Sequence, residues 1–219
     1  MRGRQSINPL TKFGFALIDN GIVRITELGE KLIDNEKDYG DVFLRSFIKW
    51  QIPNPASNDY ADDAEYDIVP FVAALNRLVS ERGDKPVGIS KREFSLFVPT
   101  LINYREISQQ AHALITLRYQ QKDKSKQERK AIRDNHKLGY ASRFLASNNQ
   151  NEIDKLLGNL GDYGDNTIRY FRLTKFIRIR GNGFYIDLEP SRHTEIESLL
   201  EAEYFKPKFF ADKREYLSY

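Results

Sequence analysis

The sequence predicts a mainly α fold with small β-hairpins (α+β), organised as two winged-helix-like (helix-turn-helix) subdomains. Turn residues that accept positive φ lie between β-rich runs near residue 20 and again near residue 182, and helical periodicity accompanies both turns. The length of 219 residues is sufficient for two small domains. We place the first subdomain at residues 1–84 and the second at residues 85–219, with a linker at residues 83–88.

The first hairpin is centred on Asn20 and Gly21. Both residue types tolerate the positive φ that a two-residue type I′ turn requires. Thr26 follows the second β-rich run directly and can cap a short helix that extends to residue 33. A hairpin followed by a helix is typical of the end of a winged-helix domain.

Two helices are predicted next in the first half. From Asp41 the apolar residues recur at helical spacing until Pro53 ends the element, and Trp50 is expected to pack into the core beneath it. A second amphipathic helix is predicted over residues 68–79, with Pro70 tolerated in its first turn.

The second half begins with the capping-box spacing of Ser90 and Glu93. Asn103 can cap a longer helix whose apolar stripe is formed by Ile107, Ala111, Leu114 and Ile115. We expect this helix to continue into the basic stretch after residue 117, where the apolar face disappears. An exposed helix and a loop are both compatible with that loss of periodicity.

Shorter helices are predicted over residues 138–146 and 153–160, and the glycines at positions 158, 161 and 164 are expected to break the latter. The pair at residues 165–166 then offers an N-cap for a helix over residues 167–173. Of the aromatic residues in this helix, Tyr170 and Phe171 are expected in the core.

A second hairpin follows this helix, with its turn at residues 181–183. Apolar side chains alternate with Arg178 and Arg180 in its first strand, so one face should be buried while the other displays arginine. Pro190 opens a final helix that extends to about residue 202.

Composition excludes several classes of protein. There is no cysteine, hence no disulfide framework and no cysteine-based zinc finger. No run of apolar residues approaches a membrane span, and no apolar segment follows the charged N-terminus, so we expect a cytoplasmic protein. The net charge is only +3, but basic residues concentrate at residues 117–143 and acidic ones at residues 52–67. The molecule should have a basic face and an acidic face.

Motifs for catalysis are missing from the sequence. There is no carboxylate and lysine pattern of a metal-dependent nuclease, no glycine-rich phosphate loop and no defensible catalytic triad. The acidic residues 59–67 lack the spacing of a calcium loop and are read as a solvated loop. We therefore predict no enzyme activity, no catalytic residue, no metal ligand and no cofactor for this chain.

Two basic segments favour contact with nucleic acid. For residues 167–180 the reason is that a helix N-terminus binds phosphate and arginine can bind guanine edges bidentately. The alternative is an ordinary solvated helix with a polar hairpin face. For residues 118–137, contact with a DNA backbone and a solvated charged helix both remain open.

The sequence also resembles the AlwI-type type IIS restriction endonucleases and the related strand-nicking enzymes. The blocks that carry the resemblance are residues 12–15, 24–29, 41–44, 49–53, 88–91, 167–174 and 180–182. The resemblance implies a recognition region of winged-helix-like subdomains that reads a short asymmetric site in double-stranded DNA. It also implies that cleavage belongs to a separate domain that uses Mg²⁺.

This sequence departs from the family pattern because few residues precede the first hairpin and no cleavage domain follows. We expect a recognition fragment, a truncated homologue, or a subunit whose nuclease is a separate domain or chain, with the first subdomain incomplete at its N-terminus. Two other functions stay open. One is a winged-helix transcription regulator, and the other is a winged-helix module that binds proteins.

The expected DNA contacts divide by element type into positioning contacts and base contacts. The expected phosphate contacts are Lys91, Arg92, Arg118, Lys122, Lys124, Lys126, Arg129 and Lys130. The residues expected to approach bases are Arg4, Asn166, Arg169, Arg172, Arg178 and Asn182. The set of expected DNA-binding residues is completed by Lys12, Thr167, Lys175 and Arg180.

Overall fold

The computed structural model describes residue 7 and residues 9–34, 38–56, 65–80, 88–145 and 149–218. In these ranges the helices are α1 (Glu27–Ile33), α2 (Tyr39–Lys49), α3 (Pro70–Ser80), α4 (Lys91–Phe97), α5 (Ile107–Gln121), α6 (Lys126–Phe144), α7 (Gln150–Arg172), α8 (His193–Glu201) and α9 (Lys213–Ser218). The strands are β1 (Ala16–Asp19), β2 (Ile22–Ile25), β3 (Ile89–Ser90), β4 (Ile177–Arg180) and β5 (Tyr185–Leu188). Short 3₁₀ turns at Tyr104–Glu106 and Pro190–Arg192 precede α5 and α8. The α+β class predicted from the sequence is confirmed.

The first hairpin has the predicted turn. Strands β1 and β2 pair antiparallel with Asp19 opposite Ile22, and the two residues between them have φ values of 49° at Asn20 and 80° at Gly21. The side chain of Thr26 accepts a hydrogen bond from the backbone N–H of Gly29 and so caps α1. Hairpin and capped helix are both confirmed.

Helix α3 lies at the centre of the molecule. Its residues 71–75 are almost completely buried, and Arg77 is 0% exposed. The Arg77 guanidinium lies over the ring of Phe97, and its Nη2 donates to the carbonyl oxygen of Ala111. The helix has the predicted position, but it is surrounded by protein on more sides than an amphipathic surface helix would be.

One hydrophobic core connects the two halves of the chain. Phe71 of α3 packs against Phe47 of α2 and against Phe171 of α7, with ring centroids 5.7 Å and 5.0 Å apart. The same buried cluster extends to Ile196 of α8. Trp50 was expected in the core and is partly exposed, with its ring 6.2 Å from that of Phe13. The boundary near residue 84 remains a prediction.

The second half is built on a three-stranded antiparallel sheet with the strand order β3-β5-β4. Together with α3 of the first half, the elements follow the chain order α3, β3, α4, then α7 and the β4–β5 hairpin, and α4 packs on α7. This order is compatible with a winged-helix unit. The helices α5 and α6 are inserted between the two helices that pack together, and we call them the inserted helical hairpin.

Helix α7 corrects the prediction made for its glycines. It is continuous over 23 residues and is capped by Asn149, so the predicted break at residues 158–164 and the N-cap at residues 165–166 are wrong. Gly164 allows α4 to approach, since a Cβ there would lie 2.3 Å from Oγ of Ser95. Gly158 and Gly161 face open space. Of these three glycines, only Gly164 is therefore required by the packing of α4 on α7.

The predicted continuation of α5 into the basic stretch holds only as far as Gln121. α5 ends at Gln121, and α6 begins after Ser125, which forms a capping box with Glu128. Within α5, Ile107 and Leu114 are buried as expected, whereas Ile115 is 51% exposed. The predicted helix at residues 138–146 is the C-terminal part of α6.

The C-terminal region contacts the first half of the chain. α8 ends near the predicted position, and α9 follows it, with the buried Tyr216 hydroxyl accepting a hydrogen bond from Nδ2 of Asn54. Nζ of Lys49 lies over the Tyr216 ring and donates to the carbonyl oxygen of Leu217. In the part of the chain that the structure describes, no helix combines the length and apolar character needed to cross a membrane.

Candidate nucleic-acid interface

Positive charge is concentrated in a groove of about 790 Å³ between α4, α6, α7 and the tip of the β4–β5 hairpin. We call it the basic groove. The cations that line it are Lys91, Arg92, Lys126, Lys130, Arg133 and Lys137. The carboxylates that line it are Asp134 and Asp165. The folded chain thus brings together four of the residues expected at phosphates, from two separate helices.

The charge of the basic groove is largely uncompensated. Arg92, Lys126 and Lys130 are exposed, and they form no ion pair within the described ranges. Lys91 pairs with Asp165 across the α4–α7 contact, and this hydrogen bond holds the pKa of Asp165 below its ordinary value. Asp165 also accepts from Arg169, with Nη2 3.1 Å from its carboxylate. A polyanion in the groove would meet free cations at α4 and α6.

Arg118 was expected to contact a phosphate, but its side chain pairs with Glu93 of α4. Its Nε lies 2.8 Å from Oε1 of Glu93, and its Nη2 donates to the carbonyl oxygen of Gly88 at 3.1 Å. Burial raises the pKa of Glu93, but the hydrogen bonds and charge of Arg118, with further hydrogen bonds from Ser90, outweigh burial and leave that pKa lowered. Arg118 thus stabilises the capping box of α4, and we leave it out of the candidate interface.

A second cationic groove, of about 510 Å³, lies where α7 meets β4. We call it the hairpin-base groove. Its basic side chains are Arg172, Lys175, Arg178 and Arg192. Arg172 and Arg178 are exposed, and neither makes an ion pair in the part of the chain described. Sequence reasoning missed Arg192, which stacks over the ring of Phe176 and has no local pattern that marks it.

Acidic residues at the start of α2 hold the other two cations of the hairpin-base groove. Nζ of Lys175 lies 2.6 Å from Oδ1 of Asp38. Arg192 pairs with Glu195 at 2.7 Å on its own helical segment, and its Nη2 lies 3.4 Å from Oδ1 of Asp41. The hydrogen bond from Lys175, with one from the Gly40 backbone, lowers the pKa of Asp38. These ion pairs connect the first half of the chain to the base of the second hairpin.

The solvent-facing side of α7 carries further polar residues of the predicted set. Asn166 is exposed, and the Arg169 side chain is 73% exposed. Thr167 was expected at a helix start, but it lies within α7 and its hydroxyl donates to the carbonyl oxygen of Tyr163. The expected phosphate site at a helix N-terminus is therefore absent there. Tyr170, expected in the core, is 42% exposed.

The β4–β5 hairpin displays the predicted arginines. Arg178 projects to solvent, whereas Arg180 pairs with Asp187 and lies over the Tyr185 ring at 4.8 Å. Asn182 lies at the apex of the turn with a φ of 54°. Of the two arginines, Arg178 is the one that a ligand can contact without breaking an ion pair.

Four further described residues of the predicted set, Lys12, Lys122, Lys124 and Arg129, are not among the residues that line either groove. Lys122 and Lys124 line a separate hollow between α5 and α6. Nε of Arg129 donates to the carbonyl oxygen of Lys124 at 2.7 Å. Lys12 belongs to the helical turn before β1, and Arg4 lies outside the described residues.

A metal centre needs several His, Asp or Glu side chains close together. Over the ranges that the structure describes, no three His, Asp or Glu side chains come together in a way that could hold a metal ion. His136, which lines the hollow between α5 and α6, has its ring 4.8 Å from that of Phe97, and burial lowers its pKa. The absence of a catalytic centre from this chain remains a prediction.

Fold and grooves together define an α+β protein in which a closely packed helix pair and a hairpin carry two cationic surfaces. The sequence profile of the AlwI restriction endonuclease family matches residues 11–219. The chain therefore belongs to the AlwI restriction endonuclease family, and the resemblance seen in the sequence is confirmed.

A solved structure has a similar fold. It is the crystal structure of pyrene- and phenanthrene-modified DNA in complex with the BpuJ1 endonuclease binding domain. The TM-score is 0.60 at 16% sequence identity, and the match covers 96% of this chain and 70% of that chain. At this identity the likeness is one of fold. No curated protein sequence matches the chain.

Proposed function

We propose that this chain binds double-stranded DNA as the recognition module of a type IIS restriction or nicking endonuclease and reads a short asymmetric site. The basic groove is the observation that carries the proposal, because its exposed cations Arg92, Lys126 and Lys130 converge from α4 and α6 without ion-pair partners in the described residues. Membership of a restriction endonuclease family supports it. The fold shared with a domain whose structure contains DNA supports it as well.

In this proposal the basic groove contacts the DNA backbone, whereas α7 and the β4–β5 hairpin contact the bases. The basic groove holds phosphates, since lysine and arginine at a groove rim neutralise backbone charge regardless of sequence. Bases are approached from the outer face of α7 and from the hairpin, by Asn166, Arg169, Arg172, Arg178 and Asn182. The free guanidinium groups of Arg172 and Arg178 suit guanine edges, which accept two hydrogen bonds from arginine.

In this proposal the chain binds DNA but does not cleave it. Cleavage requires a separate domain or subunit that uses Mg²⁺, and this chain acts with it in the cytoplasm. The two halves of the chain are proposed to be winged-helix-like units that share one hydrophobic core, with the boundary near residue 84. A nicked or cut duplex produced by this chain alone with Mg²⁺ would contradict the separation of recognition from cleavage.

The experiment that tests the function is selection of bound sequences from random duplex DNA with the full chain. A short asymmetric motif is the expected result. A palindrome would favour a dimeric regulator, and the absence of salt-sensitive binding would favour a protein-binding module.

Two variants then test the division between grooves. Arg172→Ala should relax the selected motif, while Lys126→Ala should weaken binding to all duplexes and reduce the slope of log Kobs against log salt by about 0.9. Lys155→Ala, which removes an exposed lysine of α7 outside both grooves, is the control and should change neither quantity. The division between phosphate contacts and base contacts would be refuted if both variants, Arg172→Ala and Lys126→Ala, lost equal affinity for specific and for random duplex DNA.

A further inference from the structure

The tip of the second hairpin presents an aromatic ring to the basic groove. Phe184 is 46% exposed and lines this groove together with Arg92, Lys126 and Lys130. Its ring contacts Tyr185 edge-on, with centroids 5.0 Å apart, and leaves nearly half of its surface in solvent. Core packing does not account for the exposed part of this ring, which lies where α4 and α6 contribute cations.

The backbone holds Phe184 in a defined place. Gly181, Asn182 and Gly183 all have positive φ, which turns the chain tightly before Phe184. The Phe184 N–H donates to the carbonyl oxygen of Gly181 at 3.2 Å, and its own carbonyl oxygen accepts from the N–H of Lys91 at 2.8 Å. The backbone of Phe184 is thereby connected to Lys91, the first residue of α4, which Arg92 follows in the sequence.

The neighbouring ring is already engaged within the hairpin. Tyr185 has the Arg180 guanidinium over its face, and it packs close to Gly181, where a Cβ would lie 3.1 Å from Cδ2 of the tyrosine. Tyr185 thus supports Phe184 from behind, while Phe184 is the ring available to a ligand in the groove.

We propose that Phe184 stacks against the bases of the bound duplex, at a step next to the phosphates held by Arg92, Lys126 and Lys130. The proposal rests on the proposed function, in which the basic groove binds DNA. Apolar side chains beside cationic contacts enter the minor groove at a base step and partly unstack it. A ring that reaches the bases from the hairpin tip would add contact energy that does not depend on salt.

The test uses the full chain and a set of duplexes that carry the fluorescent base 2-aminopurine at successive positions of the bound site. The wild-type protein should raise the fluorescence at one step, because unstacking relieves quenching. Phe184→Ala should bind roughly tenfold more weakly and give no rise at saturating protein, with an unchanged salt slope. Phe184→Trp, which keeps an aromatic ring, should retain the rise.

A matched charge variant separates this proposal from the proposed function. Lys130→Ala should lower the salt slope and keep the fluorescence rise at saturation. If neither Lys130→Ala nor Lys126→Ala changes the salt slope, the groove does not bind DNA and both proposals fail. If Lys130→Ala lowers the slope but Phe184→Ala binds like the wild type, or still gives the rise, only the stacking proposal is overturned. Thermal melts of each variant confirm that the fold is intact.

Discussion

Gly164 should respond to substitution in the opposite direction from Gly161, although both lie in the same continuous helix. The structure gives the reason at atomic detail: a Cβ on Gly164 would lie 2.3 Å from Oγ and 2.8 Å from Cα of Ser95, whereas a Cβ on Gly161 would meet nothing within 4 Å. The Ser95 hydroxyl could rotate away, but its Cα belongs to the backbone of α4. Relief therefore requires α4 to move away from α7.

The expected magnitudes follow from two opposing effects. Replacing glycine by alanine inside a helix stabilises it by about 1 kcal/mol. At Gly161 nothing opposes this gain, so Gly161→Ala should raise the free energy of unfolding by roughly that amount. At Gly164 the overpacking costs about 1 to 3 kcal/mol. Gly164→Ala should therefore be about 2 kcal/mol less stable than Gly161→Ala.

Urea unfolding monitored by circular dichroism measures both free energies. The double variant Ser95→Gly, Gly164→Ala removes the side-chain part of the clash and should recover part of the loss. Gly158→Ala, another exposed position of α7, should behave like Gly161→Ala. Equal stability of Gly161→Ala and Gly164→Ala would refute the close α4–α7 contact.

Two further predictions concern buried polar contacts. Glu93→Gln should cost about 2 kcal/mol at neutral pH, because it removes the charged partner of Arg118. Since the folded pKa of Glu93 is lowered, its contribution is present above the ordinary glutamate pKa and is lost as pH falls through the folded pKa. The stabilities of the wild type and Glu93→Gln should therefore converge as the pH falls below that lowered pKa, and parallel curves would count against the ion pair. Tyr216→Phe leaves Nδ2 of the buried Asn54 without its acceptor, so the free energy of unfolding should fall by about 1 kcal/mol. In ultraviolet titration the same variant should lack one late tyrosine, because burial raises the pKa of Tyr216 to about 12; an unchanged titration would contradict that burial.

Local signals in the sequence predicted local structure well. The turn at Asn20 and Gly21 and the capping box of Ser90 and Glu93 depend on residues within four positions of each other, and both have the expected geometry. The capping box that begins α6 at Ser125 has the same spacing and could have been found by the same reasoning. Recognising this capping box would have predicted that α5 and α6 are two separate helices.

Contacts between distant segments could not be predicted from local patterns. The three glycines of α7 look alike in the sequence, and only the position of Ser95 on another helix distinguishes Gly164. Arg118 lies in a basic stretch, so its charge suggested a phosphate contact, but its partner Glu93 lies 25 residues away. The convergence of α4 and α6 on one groove likewise depends on the packing of the inserted helical hairpin.

The inserted helical hairpin also affects how the chain folds. Because it separates α4 from α7, their contact closes a loop of roughly 50 residues, and each doubling of loop length adds about 0.6 kcal/mol of closure entropy. Relative to a short turn of about four residues, the added cost is about 2 kcal/mol. Local pairing of α5 with α6 shortens the effective loop if it forms first. Substitutions that weaken the α5–α6 pair should therefore slow folding, because they delay formation of the α4–α7 contact. They should do so although the substituted residues lie outside that contact.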